Sequence, residues 1–414
     1  MHRPGVFRGW KIVAAVHLLL ALIFGAAYSF GAFFSSIQSN FGADSFSTAS
    51  IFSGTALVYY LVGVFSGGLS DRTSARAVTS AGIVLLSLGF LASSLLSDSL
   101  MLFLLSFCLL VGLGVGLVYV PAVTTVQRWF VLRRSSASGI ALAGTGLGTL
   151  VGPMVAGLLM RHMSWQTTMQ LYALTIAVLG LLAASSLHNR PEDLGLHPDG
   201  LAPPAQAIRP DATGLSLAEA ARQSRFWCYF TAIFFGSIGL FLALVHINPY
   251  AQQLGLSVTE ANLLIGLIGV GNIGGRLLLG RLGDRIGALR SLVLLALTLA
   301  VLCALWLLAQ SFATLAIFAV LFGAANGGCI SLYPALAASW FGTRNLGAIL
   351  GALYIAVGIA ALAGGSVAGR LFDLQHSYTL SIALAGGCAL LSVLALLLAS
   401  RAHSTRGTPD LSYP

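Results

Sequence analysis

Apolar stretches of about 20 residues recur along the whole chain and constrain its fold more than any other feature. A helix of that length spans the roughly 30 Å hydrocarbon core of a bilayer. Charged residues make up only 8% of the 414 residues, against about 25% in soluble domains. The sequence therefore predicts an all-α membrane protein. Twelve spans are predicted, near residues 10–35, 47–69, 77–97, 100–127, 136–160, 166–188, 226–252, 259–281, 288–309, 313–340, 345–371 and 377–400.

The basic residues are distributed unevenly between the two sides of the predicted membrane. Eighteen of the 21 Lys and Arg residues fall on the side of the N-terminus, whereas Arg161 and Arg370 fall on the other side and Arg276 lies within a span. Because cytoplasmic loops carry an excess of basic residues, both termini are predicted to be cytoplasmic. We expect a multi-pass protein of the plasma membrane, in bacteria the inner membrane. The net charge of +9 is explained by this topology without a nucleic-acid partner.

Two sequence patterns occur twice, half a chain apart. GGLSDRTSAR ends the second span and GRLGDRIGALR ends the eighth, so that Asp71 and Asp284 are 213 residues apart. Trp129 and Trp340, in the fourth and tenth spans, are 211 residues apart. Such an offset indicates two homologous halves, hence two pseudo-symmetric six-helix bundles. We predict one bundle over residues 1–187, a cytoplasmic linker loop over 188–225, a second bundle over 226–402 and a cytoplasmic tail over 403–414.

The predicted linker loop is rich in residues that interrupt regular structure. It contains five of the 12 prolines. Since Pro and Gly break helices and strands, most of the loop is expected to be a flexible tether. A short helix at the membrane surface is expected from Ser216 to Gln223.

Each repeated pattern contains an Asp-Arg pair at the predicted cytoplasmic surface, Asp71 with Arg72 and Asp284 with Arg285. A carboxylate there can accept hydrogen bonds from the N-terminus of a neighbouring helix, which is worth about 0.3 to 1 kcal/mol or more when partly buried. We predict that these four residues form a gate on the cytoplasmic side. The alternative is that the charges only end the helices at the membrane surface, and the duplication of the pattern disfavours it.

Arg276 places a permanent charge inside the eighth span. A guanidinium at that depth costs at least about 2.5 to 3.5 kcal/mol and cannot lose its proton. No acidic residue lies within one helical turn, and Asn272, four residues earlier, can orient the guanidinium but cannot neutralise it. We predict that the counter-charge is an anionic ligand. The alternative is a structural ion pair with a distant acid.

Two tyrosines are predicted at the depth of Arg276. Counting back from the cytoplasmic ends of the fourth, eighth and tenth spans puts Tyr119, Arg276 and Tyr333 about 12 to 17 Å below the surface. Two phenols and one guanidinium, contributed by both halves, would form a small anion site with hydrogen-bond donors. Each tyrosine taken alone is also compatible with a purely structural position.

These patterns resemble those of the major facilitator superfamily, which has two six-helix halves, a long middle loop and G-x-L-x-D-R after the second and eighth helices. Within it, Gly9-Trp10 and WFVLRRSSASGIALAGTGLG, from Trp129 to Gly148, are similar to signatures of monocarboxylate transporters. RPEDLGLHPDG, from Arg190 to Gly200, resembles a loop of bacterial relatives that include oxalate:formate antiporter-like proteins. The resemblance implies the major facilitator fold and secondary transport by alternating access, without enzyme activity or a cofactor.

The chain departs from the animal monocarboxylate pattern at two charged positions. Aligned without gaps from Trp10, Tyr28 stands at the position of the first-helix lysine, and Asn272 stands where those members have an aspartate. The coupling cycle of the animal members therefore cannot be carried over. Oxalate-type members have a second basic residue in helix eleven, whereas Leu346 to Gly369 has no charge, which implies a substrate with one carboxylate.

The residues and the resemblance together predict a secondary transporter for a small monocarboxylate such as lactate or pyruvate. The predicted substrate-binding residues are Arg276, Asn272, Tyr119, Tyr333 and Tyr28. The loaded carrier is expected to cross more easily than the empty one, or a proton is expected to travel with the anion. The expected partners are the organic anion, a proton and membrane lipid, with the protein acting as a monomer and holding no metal.

Three alternatives remain open from the sequence. A drug or metabolite exporter is suggested by GTLVGPMVAG, from Gly148 to Gly157, which resembles a fifth-helix motif of drug:proton antiporters. An oxalate/formate-type anion exchanger is suggested by the loop from Arg190 to Gly200. A membrane enzyme or sensor is disfavoured, because the chain has no HExxH, cysteine pair or nucleotide-binding loop.

Overall fold

Long helices make up most of the protein in the computed structural model, which describes residues 7–43, 45–96, 98–201, 214–375 and 377–402. Twelve of them follow one another within these residues. They are α1 Gly9–Phe41, α2 Ser45–Arg72, α3 Ala75–Leu95, α4 Leu100–Trp129, α5 Arg134–Leu159, α6 Trp165–Ser185, α7 Ser224–Gln253, α8 Val258–Ile286, α9 Ala288–Leu308, α10 Phe312–Phe341, α11 Leu346–Gln375 and α12 Thr379–Arg401. α1 has a local break at Ser29, and α4 includes a π-helical turn over Ser106–Val111.

Eleven of these helices are long and apolar enough to cross a membrane, by length and composition. The remaining helix, α2, has 28 residues, so that it is about 42 Å long. Leu57, Leu61 and Phe65 are exposed along α2, which suits a helix surrounded by lipid acyl chains. The predicted all-α membrane fold is confirmed.

The two halves of the chain repeat one packing scheme. In the first half α1 packs on α5, α2 on α4 and α3 on α6. In the second half the related pairs are α7 with α11, α8 with α10 and α9 with α12. The two pseudo-symmetric six-helix bundles therefore agree with the prediction, and they meet where α2 packs on α11 and α5 packs on α8.

The bundles approach most closely at the end that carries the repeated Asp-Arg pairs, here called the motif end. Gly67 of α2 lies against Gly347 of α11, where a Cβ on either residue would overlap the carbonyl oxygen of the other. Gly139 of α5 lies in the same way against the carbonyl oxygen of Arg276 in α8. Only glycine permits backbones to approach so closely. The motif end is therefore closed.

The bundles separate toward the opposite end. Farther from the motif end, Gly146 of α5 still faces the side chain of Ile273 in α8. One and two turns beyond that, a Cβ at Gly269 or Gly266 would meet no atom within 4 Å, and both glycines line a cavity. The space between the bundles is therefore open at the end opposite to the motif end.

The first part of the linker loop docks on the first bundle. The Asp199 carboxylate accepts hydrogen bonds of 2.8 Å from the N–H groups of Val131 and Leu132, which lie just before α5. The Asn189 side chain accepts a 2.7 Å hydrogen bond from the Ala75 N–H at the start of α3. These contacts contradict the expectation of a flexible tether for residues 188–201. Hydrogen bonds made by specific polar side chains hold this segment on the first bundle despite its high Pro and Gly content.

The last part of the loop docks on the second bundle. The Leu215 N–H donates to the Phe341 carbonyl at 3.0 Å, and the Asn345 side chain donates to the Leu215 carbonyl at 3.2 Å. The predicted short helix is present as Leu217–Ala221, with Ser216 as its N-cap. Residues 202–213 and the predicted tail 403–414 lie outside the described residues.

Candidate functional site

A cavity of about 440 Å³ lies between the two bundles, on the side of the motif end that leads to the open end of the protein. Its walls come from α1, α2, α4 and α5 of the first bundle and from α7, α8, α10 and α11 of the second. The structure brings all five residues that the sequence predicts as substrate-binding to this cavity. They are Tyr28, Tyr119, Asn272, Arg276 and Tyr333.

Arg276 is buried and is held from the first bundle. Its Nη1 donates to the Leu142 carbonyl and to the Thr145 hydroxyl, both on α5. Nε is buried without an acceptor, and neither Nε nor Nη2 makes a hydrogen bond within the described part of the chain. No described carboxylate forms an ion pair with Arg276. The Nε and Nη2 donors of Arg276 are thus not used by the described protein groups, and two such donors can hold a carboxylate through two parallel hydrogen bonds.

Asn272 lines the cavity one turn from Arg276 but does not orient it. The Asn272 amide donates to the Asn326 side chain of α10 across 3.5 Å. The orienting contacts that the sequence assigned to Asn272 are made instead by Thr145 and by the Leu142 carbonyl. Sequence reasoning missed Thr145, because a threonine in a glycine-rich helix shows no charge or periodic signal of its own.

The three predicted tyrosines come from three helices that line the cavity, two in the first bundle and one in the second. Tyr119 of α4 faces Tyr354 of α11 with ring centres 5.5 Å apart. Tyr333 of α10 is buried, and its carbonyl accepts a 2.8 Å hydrogen bond from the Tyr229 hydroxyl. Tyr28 of α1 is 39% exposed and lines the cavity. The phenols thus surround the site from both bundles.

Three further tyrosines line the cavity and were not predicted, namely Tyr59, Tyr60 and Tyr354. The Tyr354 hydroxyl is buried beside Tyr119 without a hydrogen bond of good geometry. One signal for Tyr354 was present in the sequence. It lies three residues after Gly351 and four before Gly358, two glycines that face α2.

Asp71 connects the end of α2 to the start of α11. Its carboxylate accepts hydrogen bonds from the N–H groups of Gly347 at 3.3 Å and Ala348 at 3.0 Å. It also forms an ion pair with Arg128 of α4, whose Nε donates to the Thr343 carbonyl at 3.2 Å. These contacts, here called the first clasp, join the two bundles at the motif end.

Asp284 makes the related contact between α8 and α5. Its carboxylate accepts hydrogen bonds from the N–H groups of Ser135 at 2.8 Å and Ser136 at 3.0 Å. This is the second clasp. The side chains of the other two predicted gate residues, Arg72 and Arg285, are exposed and make no hydrogen bond or ion pair with the described residues. Arg128, which the sequence placed only among the charges of the cytoplasmic side, takes the basic position in the first clasp.

Comparison with known proteins agrees with this architecture. A family model described as Major Facilitator Superfamily matches residues 16–293 and 230–411. Monocarboxylate transporter 12 of Mus musculus is 30% identical over 417 residues, covering 94% of this chain and 84% of that protein. Monocarboxylate transporter 13 of Rattus norvegicus is 29% identical, with coverages of 92% and 86%.

A solved structure gives the same fold. The human organic anion transporter MFSD10 aligns with a TM-score of 0.73 at 17% identity, covering 95% of this chain and 100% of that one. The relatives are membrane transporters and not enzymes. The chain therefore belongs to the major facilitator superfamily, in which it is related to the monocarboxylate transporters.

Proposed function

We propose that the protein is a secondary transporter of organic acids with one carboxylate, lactate and pyruvate among them, and that the two bundles provide alternating access. The observation that carries this proposal is the free Nε–Nη2 edge of the buried Arg276 beside the cavity. A buried cation without a described counter-charge calls for an anionic ligand. The similarity to monocarboxylate transporters supports the same substrate class.

The charge of the cavity favours one carboxylate over two. Arg276 is the one residue with a charged side chain among the described residues that line the cavity, and no histidine lines it. A second carboxylate on the substrate would be desolvated without a cation to pair with. A cationic drug would be repelled by Arg276, so this charge disfavours the export of cations.

The motif that suggested an exporter has a packing role in this protein. A Cβ at Gly148 would overlap the Ala21 carbonyl oxygen of α1, and a Cβ at Gly152 would overlap that of Gly25. These glycines permit α5 to pack closely on α1. The similarity to drug:proton antiporters in this segment is therefore explained by helix packing without an export function.

We assign the motif end to the cytoplasm, on the basis of the excess of basic residues on that side. Both termini and the loop over 188–225 then lie in the cytoplasm, the bundles span residues 1–187 and 226–402, and the structure corresponds to an outward-open state. A bound carboxylate would neutralise Arg276 and so permit the outer ends of the bundles to close. We further propose that the protein acts as a monomer in a bacterial inner membrane and that a proton crosses with the anion.

Substitution of Arg276 tests the anion site. Arg276→Lys keeps the charge but loses the planar fork, so we expect it to lose most lactate and pyruvate uptake in proteoliposomes, and Arg276→Ala to lose essentially all. Arg281→Ala, an exposed arginine of the same helix, is the matched control and should transport like the parent. Calorimetry in which purified Arg276→Ala binds these acids as tightly as the parent would contradict the proposal.

Asn272 offers a test of the coupling to protons. Asn272→Asp places a carboxylate one turn from Arg276, where it competes with the substrate for the guanidinium unless it is protonated. We expect uptake by this variant to be favoured by acid more strongly than uptake by the parent. The measurement is the ratio of initial uptake rates at two external pH values, with Asn272→Gln as the neutral control. An equal ratio in Asn272→Asp and Asn272→Gln would contradict this role.

A further inference from the structure

The cavity has its charge at one end and mainly apolar surface along the remainder. α8 lines it from Ile265 to Arg276, two residues that are eleven positions and thus about 16 Å apart along the helix. Arg276 is the lining residue of α8 nearest to the closed motif end, whereas Ile265 and Ile268 lie toward the open end. A ligand held by its carboxylate on Arg276 would therefore extend along an apolar channel.

The wall contributed by the second bundle is mainly aliphatic near the open end. α7 supplies Leu240, Phe241 and Leu244, and α8 supplies Ile265 and Ile268. These side chains have no hydrogen-bonding groups, so they favour contact with a hydrocarbon surface over contact with water. A polar or strongly hydrated substrate body would gain little here.

The opposite wall, from the first bundle, is a continuous group of aromatic rings, here called the aromatic wall, made of Phe24, Tyr28, Tyr59, Tyr60 and Tyr119. The Phe24 ring lies 5.5 Å from that of Tyr119 at 76°, and 6.4 Å from that of Tyr59 at 70°. Tyr59 and Tyr60 are 4.5 Å apart. Such edge-on and tilted pairs are the arrangements that aromatic rings prefer, and a further ring can join them.

The size of the cavity also exceeds what a lactate-sized acid needs. A volume of about 440 Å³ lies within the range of pockets that hold drug-sized ligands. Lactate on Arg276 would contact residues near the closed end and would leave most of the apolar surface of both walls in contact with water. A flat apolar body between the aromatic and aliphatic walls would bury them instead.

We infer that the preferred substrates are aryl monocarboxylates, acids that carry an aromatic ring a short distance from a single carboxylate. This inference rests on the proposed function, because Arg276 holds the carboxylate. The ring lies between the aromatic wall of the first bundle and the aliphatic wall of the second. Bound in this way, the substrate contacts both bundles, which is what closure around it requires.

A matched series of acids tests the inference by calorimetry on the full-length protein. The series is lactate, 3-cyclohexyllactate, 3-phenyllactate and the uncharged 3-phenyllactamide. We expect 3-phenyllactate to bind at least about tenfold more tightly than lactate, because the ring buries the apolar walls. It should bind about 2- to 12-fold more tightly than the cyclohexyl acid, which has similar bulk without aromatic character. The amide should bind at least about tenfold more weakly than the acid.

Variants of the aromatic wall locate the effect. Phe24→Leu should lower the ratio of 3-phenyllactate affinity to lactate affinity by about 2- to 12-fold. Phe65→Leu on α2, a residue that is 75% exposed and lies outside the cavity lining, should leave that ratio unchanged. An equal fall of the ratio in both variants would overturn the placement of the ring.

The outcomes separate this inference from the proposed function. If lactate binds as tightly as 3-phenyllactate, and both depend on Arg276, the aryl preference is wrong and the monocarboxylate site stands. If 3-phenyllactamide binds as tightly as 3-phenyllactate, the carboxylate makes no contact with Arg276, and both proposals fail. If none of the acids binds, both fail as well.

Discussion

Asp71 and Asp284 each accept two hydrogen bonds from N–H groups at the start of a helix in the opposite bundle, but their electrostatic surroundings differ. In the first clasp Asp71 also pairs with Arg128, which is 4% exposed. In the second clasp the position related to Arg128 by the 211-residue offset is Ser339, whose hydroxyl donates to the Leu336 carbonyl. The repeat thus preserved the hydrogen bonds from the helix and not the ion pair.

The difference indicates how strongly each side of the motif end is held. Two N–H donors at a helix start and the helix dipole stabilise Asp284 by a modest amount. The buried ion pair of Asp71 is different, because removal of one partner leaves the other desolvated and uncompensated. We therefore expect α5 and α8 to separate more easily than α2 and α11.

The largest expected effect is that of Asp71→Asn. Arg128 would remain buried without its counter-ion, which costs about 3 to 5 kcal/mol of the stability of the closed motif end. Asp284→Asn should cost about 0.5 to 1.5 kcal/mol, because an amide oxygen still accepts one hydrogen bond. Both variants should shift the carrier toward states open at the motif end without abolishing substrate binding, since neither aspartate lines the cavity.

Double electron–electron resonance measures these shifts. Spin labels at Thr73 and Arg344 report on the first clasp, and labels at Arg133 and Arg281 report on the second, all four residues being exposed. Asp71→Asn should lengthen the first distance distribution much more than Asp284→Asn lengthens the second. Equal shifts in the two variants would show that the two clasps are equally strong.

An intermediate effect is expected when both partners of the ion pair are changed. Asp71→Asn combined with Arg128→Met leaves no buried unpaired charge, so the closed state should recover about 2 to 3 kcal/mol relative to Asp71→Asn alone. The populations in the first distance distribution give this coupling energy. Arg133→Met, which removes an exposed arginine, is the control and should show no coupling to Asp71→Asn. Additive effects of Asp71→Asn and Arg128→Met would mean that the ion pair does not stabilise the clasp.

The smallest effect should come from adding a cation to the second clasp. Ser339→Arg places an arginine at the position that corresponds to Arg128 in the other half of the chain. Because position 339 is exposed, the closed second clasp is expected to gain only about 0 to 1 kcal/mol of stability. The gain should vanish when salt is raised to about 1 M, where the screening length is about 3 Å. The second distance distribution, with Ser339→Gln as the control, measures it. A gain that persists at high salt would show that the second clasp can bury an ion pair after all.

Several parts of the site could be predicted because their signals are local in the sequence. An arginine inside a long apolar run needs an explanation whatever surrounds it, and this identified Arg276. The duplicated pattern identified Asp71 and Asp284 together, because a repeat can be recognised from the order of residues along the chain alone. Arg128 had no such signal. Its pairing with Asp71 joins residues of two helices that are 57 positions apart, and the pairing depends on how each helix is rotated about its axis.

The linker loop also has contacts that the sequence alone does not predict. Its Pro and Gly content correctly predicts the lack of long regular elements but does not show where the chain docks. Asp199 adopts a positive φ of 57° and uses its carboxylate to hold two N–H groups before α5. That contact depends on the position of a linker nearly 70 residues earlier, and composition contains no information about it.

The sequence by itself determined the spans, the duplication and the presence of one unneutralised charge at the depth of two tyrosines, because hydropathy, residue order and charge are properties of the chain alone. Only the tertiary structure decided that Thr145 and the Leu142 carbonyl occupy one side of Arg276 and leave its Nε–Nη2 edge free. It also decided that the aromatic wall lines the same cavity as Arg276. Those features follow from the rotation and tilt of helices packed against each other, which many contacts between the two bundles set jointly.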